Sequence, residues 1–350
     1  MRPAPRPLVL AAGGTGLVLD IAGPSLPRVL HWGAALDPAA DEDAAFAASG
    51  AGTAGDARTA GSGVTYGVPL VPLQAERWSG RPGIRGDRAG RWPHRRPLPT
   101  EPVTHAADDS GGSVVTAHAA DAEAGVTLTC ELRLTAQGVV GLRHTVANTG
   151  DDHWTMAAAR PSLPLPEEAA ELLDFTGRWG FERAPQRSPF IHGLHLRETR
   201  EGRPGHDSAT LLVAGTAGFG FRHGQVWAVH VAWSGESEYG AERSAGHGSV
   251  LSGGELLASG EVRLAPGESY ASPWVYFVHS GDGLDGIGDR LHRMLRARAV
   301  DDGWTVRRTD YEFLTSPQAR DVLHEEGITV IDYRSIQHVW TLPRTQSPAP

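Results

Sequence analysis

Two adjacent carboxylates, a glycine and a tryptophan stand together in VDDGW, residues 300–304. Carboxylates accept hydrogen bonds from hydroxyls, and an indole offers a flat apolar face on which a pyranose ring can stack. Asp301, Asp302 and Trp304 are therefore candidate contacts to a sugar. The plainer account is a solvated turn, since Asp and Gly are ordinary turn residues, with Trp304 packing inward. Trp78 and Arg81, in ERWSGRPG, form a second candidate. They sit in a stretch dense in Pro, Gly and Arg, residues 69–102. Long irregular segments inside compact domains are usually functional or interfacial. A functional or interfacial loop and a loop closed by its own tryptophan are both open readings there.

Other residue types are less informative. The sixteen histidines show no His-x-x-x-His spacing and no Cys/His cluster, so neither a metal site nor a cofactor is expected. His192 and His195 are three apart on a predicted strand, which puts them on opposite faces. The glycines of GGTG, residues 13–16, are followed by LVLDI, which reads as strand. A dinucleotide fingerprint needs a helix at that point, so a hairpin turn is the better account. Cys130 alternates with apolar neighbours in VTLTCELRL and reads as a small core residue.

The elements that must position these residues read mainly as strands. Between residues 8 and 279 many short apolar-alternating runs recur with turn residues between them, among them SVVTAHAA, GVTLTCELRLTA, GVVGLRHTVANTG and QVWAVHVAWSG. In VTLTCELRL, Val126, Leu128, Cys130, Leu132 and Leu134 share one face, as in an antiparallel sheet with one wet side. Trp227, Val229, Val231 and Trp233 form another such face. PEEAAELLDF reads as an acidic bend, after which strands resume. The 69–102 stretch holds too many prolines for a central strand. The pattern then changes: Leu284, Ile287, Leu291 and Met294 recur at helical spacing. The predicted fold is a large antiparallel β-sandwich over 1–280, a linker helix over 281–298, and a short mixed or irregular tail over 299–350. In the tail ARDVLHEEG looks helical and ITVIDY strand-like.

Composition bounds the partners. Net charge is −9, and all 32 basic residues are arginine, a pattern that composition bias alone explains. No basic patch for a nucleic acid is evident. No run approaches the ~18 apolar residues of a membrane span, and the broken N-terminal apolar run is a poor signal peptide. One cysteine leaves no internal disulfide and suits a reducing compartment. A soluble cytoplasmic protein is expected.

Three stretches in order carry a resemblance: GGTGLVLDIAGPSLPRVLHWG (13–33), GRWGFERAPQRSPFIHGLHLRETREGRPGHDSATLLV (177–213) and PGESYASPWVY (266–276). Together they resemble the N-terminal domain of bacterial glycoside hydrolase family 36, the α-galactosidases. The resemblance spans roughly residues 8–298. It implies a β-supersandwich of the galactose-mutarotase-like kind, followed in the family by a catalytic TIM barrel. It also implies that VDDGW is similar to a barrel segment, LDDGW, whose aspartates bind galactose hydroxyls. Arg307–Thr309 continue that match briefly. ERWSGRPG lies near a loop that in some relatives reaches a neighbouring subunit's active-site mouth; it lacks the acidic residue some of them carry there, and the resemblance implies Trp78 and Arg81 as candidate rim contacts.

The same resemblance marks what the sequence lacks. Retaining α-galactosidases use two carboxyl groups, one as nucleophile and one as acid/base. The family's Lys-Trp-Asp nucleophile motif has no counterpart, since the sequence contains no lysine and no Trp-Asp pair. LRAR runs directly into AVDDGW, where relatives hold a further barrel unit. Only 46 residues follow Trp304, whereas a TIM barrel needs roughly 250. No catalytic residue is singled out, and no α-galactosidase activity is expected of this chain alone. Two alternatives remain: a carbohydrate-binding or oligomerisation module, and a split enzyme completed by a separate barrel chain. Without a barrel, the surface it would cover should be exposed and promote self-association, so a homo-oligomer is expected.

Overall fold

The computed structural model describes residues 7–36, 67–91, 97–246, 248–299 and 316–328. The chain divides into two compact units, residues 1–294 and 295–350.

The first unit is built from antiparallel strands. An eleven-stranded sheet faces the strands of one three-stranded and two four-stranded sheets, and one apolar core joins all four. The alternation read from sequence is what fills it. In strand Val126–Leu134 the five apolar positions are buried, while Thr127, Thr129 and Glu131 are half-buried and Arg133 is exposed. Its neighbours hold this register, with Cys130 opposite His144 on one side and Ala117 on the other. A one-residue slip would turn that whole row out of the core. The GGTG turn is the expected hairpin: Gly13 and Gly14 take φ of 53° and 76° between strands Leu8–Ala12 and Thr15–Asp20. Positive φ at both central positions matches the right-handed twist of the strands.

Helix α1 (Gly283–Ala299) follows the last strand, Val275–Ser280. Within the first unit, its Leu284, Ile287, Leu291 and Met294 pack on the outer face of the large sheet, against Val139, Val213, Val226 and Val278. Both sheet faces are therefore covered there, and the strand Val226–Val231 is buried on both sides. This corrects the single heavy face read for that segment. Trp227, Val229 and Val231 do enter the main core, but Trp233 lies past the strand end and is exposed.

A larger correction concerns residues 171–189. The acidic bend is short, and it is followed by two strands, Glu171–Arg178 and Phe181–Pro189, paired as a ribbon. The second strand is exposed along nearly its whole length. It buries no apolar face, so it has no alternation to read.

In the 69–102 stretch the strands are short and lie at sheet edges, as its prolines require: Ile84–Asp87 and Leu98–Pro99 each end their sheet. In the second unit a helix, α2 (Pro317–Glu325), is capped by Ser316, whose hydroxyl accepts the Ala319 N–H at 3.1 Å. ITVIDY lies outside the described residues apart from Ile328. Among the described residues no helix is long and apolar enough to cross a membrane.

Candidate functional site

Asp301, Asp302 and Trp304 lie outside the described residues, as do Arg307–Thr309. Trp78 and Arg81 are described, and they lie together. Arg77 takes the left-handed conformation after a short 3-10 turn, Gln74–Glu76, and swings the chain so that the Trp78 ring turns inward. The ring is 4% exposed and packs with Val68 and Val250. Its indole N–H donates to the Arg81 carbonyl at 3.1 Å. The loop is thus closed by its own tryptophan.

Arg81 pins the same loop to the outer face of the sheet carrying strand Ser237–Ser244. Its backbone N–H donates to Glu242 Oε2 at 2.9 Å, and its guanidinium pairs with Glu238. Arg160 takes the other Glu238 oxygen and donates to the Pro82 carbonyl at 3.3 Å. Glu238 is 1% exposed, so an unpaired charge there would be costly. Two guanidiniums satisfy it. Burial holds the Arg160 guanidinium below its ordinary value, with Glu238 opposing that shift and Arg81 adding to it.

A second cluster was not singled out in the sequence. Asp174, in the ribbon's first strand, is 3% exposed. Its Oδ2 receives His195 Nε2 at 3.0 Å and lies 3.4 Å from Arg197 Nε, while Oδ1 accepts Gln186 Nε2 at 3.1 Å. His195 and Arg197 belong to strand Gly193–Thr199, the edge of a different sheet. The signal was present in two parts: an aspartate within an apolar strand, and a His-x-Arg pair on one strand face. Neither part names its partner. His192 precedes the strand and is exposed.

Asp174 and Glu238 are the buried carboxylates among the described residues, and each is neutralised by cationic or hydrogen-bonding partners. Neither is placed as an open nucleophile or proton donor. The described residues include no group of three or more His, Cys, Asp or Glu that could hold a metal. Cys130 is fully buried, and burial pushes its thiol up, away from the reactive thiolate. An apolar crevice lined by Leu73, Ile84, Leu128, Val146 and Trp154 encloses about 20 Å³, room for a water and not for a sugar ring.

The fold is a β-sandwich in which the buried carboxylates, among the described residues, hold loops and sheets together. Its family is shown by comparison. Residues 25–265 match the glycosyl hydrolase family 36 N-terminal domain, and the chain belongs to that family. An α-galactosidase from Escherichia coli is 31% identical over 277 residues, which cover 78% of this chain and 37% of the relative. The α-galactosidase AgaA from Geobacillus stearothermophilus is 25% identical over 150 residues, 41% of this chain and 20% of the relative. A variant of AgaA solved in complex with raffinose superposes with a TM-score of 0.68 at 18% identity, over 81% of this chain and 42% of that one. The α-galactosidase from Lactobacillus brevis gives 0.64 at 13% identity, over 81% and 40%. At these identities the structures share the fold. The chain spans well under half the length of these relatives.

Proposed function

We propose that this chain serves as the non-catalytic N-terminal domain of an α-galactosidase, holding a catalytic barrel and helping to form its substrate mouth. The observation that carries this reading is the family match over residues 25–265 together with the unmatched remainder of the relatives. In this reading residues 1–280 are the supersandwich, 281–298 the linker helix and 299–350 the remnant of a barrel start followed by an unassigned tail. Asp301 and Asp302 would bind galactose hydroxyls, and Trp304 would stack on the sugar ring, once a barrel surrounds them. The clamped Trp78–Arg81 loop would supply a fixed rim. The substrate class is an α-galactoside, in keeping with the raffinose held by the AgaA variant. Self-association would follow from the surface a barrel covers. A cytoplasmic setting is supported by the lone, buried thiol.

The test is hydrolysis of a chromogenic α-galactoside. The purified chain alone should be inactive. Activity should appear when a barrel polypeptide of the family, made without its own N-terminal domain, is supplied in trans. Turnover by the chain alone would refute the non-catalytic role. Binding of raffinose by the chain alone, with no gain of activity on adding a barrel, would favour a carbohydrate-binding module instead.

A further inference from the structure

The stretch GTAGFGFRHG, residues 215–224, joins strand Leu212–Gly215 to strand Val226–Val231 and holds four glycines. Its own backbone draws the hairpin tight. The Thr216 N–H donates to the Gln225 carbonyl at 3.0 Å, the Phe219 N–H to Thr216 at 3.1 Å and the Gly220 N–H to His223 at 2.9 Å. Three further carbonyls serve another segment, and helix α1 begins against them. The N–H groups of Gly283, Leu284 and Asp285 donate to the carbonyls of Gly224 at 3.1 Å, Gly220 at 3.1 Å and Phe221 at 2.8 Å.

The first amides of a helix have no partner inside it, and a side chain or water ordinarily takes them. Ser316 does so for α2. In α1 the backbone of a distant hairpin takes three of them. The fit is close. Gly283 has φ of 68°, and a Cβ there would come within 2.3 Å of the Gly220 carbonyl oxygen. Gly224 has φ of 90°, and its Cβ would come within 2.7 Å of that of Phe219. Glycine lets the two backbones approach this far. An ion pair of 3.2 Å between Arg222 and Asp285 also spans the junction. Both side chains are more than half exposed, so the pair adds little.

The hairpin is itself gripped from the ribbon. Glu171 Oε1 accepts the Gly218 N–H at 3.1 Å, while Oε2 accepts Arg187 Nη1 at 3.0 Å. Arg187 Nη2 donates to the Phe219 carbonyl at 2.7 Å, and its guanidinium lies 4.1 Å over the Phe219 ring. That ring is 2% exposed and belongs to the apolar cluster that Ile287 and Met294 of α1 enter. Two ribbon side chains therefore hold two consecutive hairpin residues, Gly218 and Phe219. The next two, Gly220 and Phe221, hold the helix.

We propose that this hairpin is the seat of the linker helix and that the Glu171–Arg187 pair is its brace, so that the sandwich alone fixes the start of α1. Arg290 adds a hold further along. It bonds to Thr15, whose hydroxyl donates to the Gly138 carbonyl at 2.8 Å. That a seated helix presents a barrel rests on the reading above. The seat itself does not, and its test needs no barrel.

The experiment is hydrogen exchange on the full chain, read by mass spectrometry in overlapping peptides across 281–291, with strand Val126–Leu134 as the reference. In the wild type the amides of 283–285 should exchange at least about tenfold more slowly than unstructured chain, since each is donated to a carbonyl. Arg187→Met keeps aliphatic cover on Phe219 and removes the donors. Glu171→Gln keeps the side-chain shape and removes the charge. Each should speed exchange at 283–285 by at least about threefold and leave the reference strand unchanged. Gly283→Ala should speed it further, whereas Arg222→Ala should not change it.

Wild-type amides that exchange like unstructured chain would overturn the proposal. So would brace variants that leave 283–285 unchanged, or an acceleration shared equally by the reference strand in both of them. An Arg222→Ala effect as large as that of the brace variants would make the surface ion pair the hold instead. Protected amides in a chain that restores no activity to a barrel in trans would remove the barrel reading and leave the seat. Restored activity with unprotected amides would do the reverse.

Discussion

His195 Nε2 stands 3.0 Å from the carboxylate of Asp174, across the corner where the chain passes from the large sheet to a smaller one. Arg197 and Gln186 complete the same carboxylate. The pair joins the edges of two sheets that share no ladder at this point, so its loss should loosen that corner. Asp174→Asn leaves Arg197 facing a neutral group. The expected cost is about 3 kcal/mol, the low end for a broken buried pair, because His195 and Arg197 retain about a third of their surface in water. His195→Gln keeps a donor and should cost under about 1 kcal/mol. Urea unfolding of both variants measures this, and equal losses would deny the carboxylate its central place.

Glu238 is more deeply placed, with Arg81 and Arg160 on its two oxygens. Glu238→Gln should cost about 4 kcal/mol, since it leaves two guanidiniums facing each other around a neutral amide. Arg81→Ala should cost less, because Arg160 still answers the charge, yet it frees the Trp78 loop. Increased quenching of tryptophan emission by acrylamide in Arg81→Ala, absent from a variant with Trp78→Phe as well, is the expected readout.

Acid should unfold the sandwich before its carboxylates titrate. His144 and His279 are buried, and burial lowers both to about 4, with the Arg290 and His31 charges adding to the shift at His279. Unfolded histidine titrates near 6.5. Because the folded value is the lower one, the unfolded state binds more protons in between. The stability gained by keeping each ring neutral is complete above about 6.5 and is lost as pH falls towards 4, up to about 3 kcal/mol per histidine. Denaturant midpoints at pH 7.5, 5.5 and 4.5 measure this slope. His144→Phe should flatten it, and an unchanged slope in that variant would exclude His144 as a source.

Gly13 and Gly260 both take positive φ, 53° and 78°, but only one has room. A Cβ on Gly13 would come within 2.4 Å of the Gln137 backbone, while nothing lies within 4 Å of one on Gly260. Gly260→Ala should cost about 1 kcal/mol, the conformational penalty alone. Gly13→Ala should cost at least about twice that, because two hairpin turns must separate. Thermal midpoints of the two variants settle the comparison.

Part of the architecture is legible in the sequence. The alternation through Cys130, the helical spacing of Leu284 to Met294 and the Gly13–Gly14 turn are local patterns, and each appears where expected. The exposed ribbon strand, Phe181–Pro189, is not legible, because a strand with no buried face shows no period. Trp233 misleads for the reverse reason. It continues an apolar alternation past Val231, where the Ala232 N–H turns to the Trp274 carbonyl and the strand ends.

The sequence by itself determined the strand faces, the covering helix and the family, because these depend on side-chain period and on motif order along the chain. The tertiary structure alone decided which charges meet. Arg81 reaches Glu238 across 157 positions, and Asp174 reaches His195 across 21, through strand registers that no local pattern contains. It also decided that Trp78 is core and Trp179 is surface. Burial depends on what packs against a ring, and its packing partners come from distant parts of the chain.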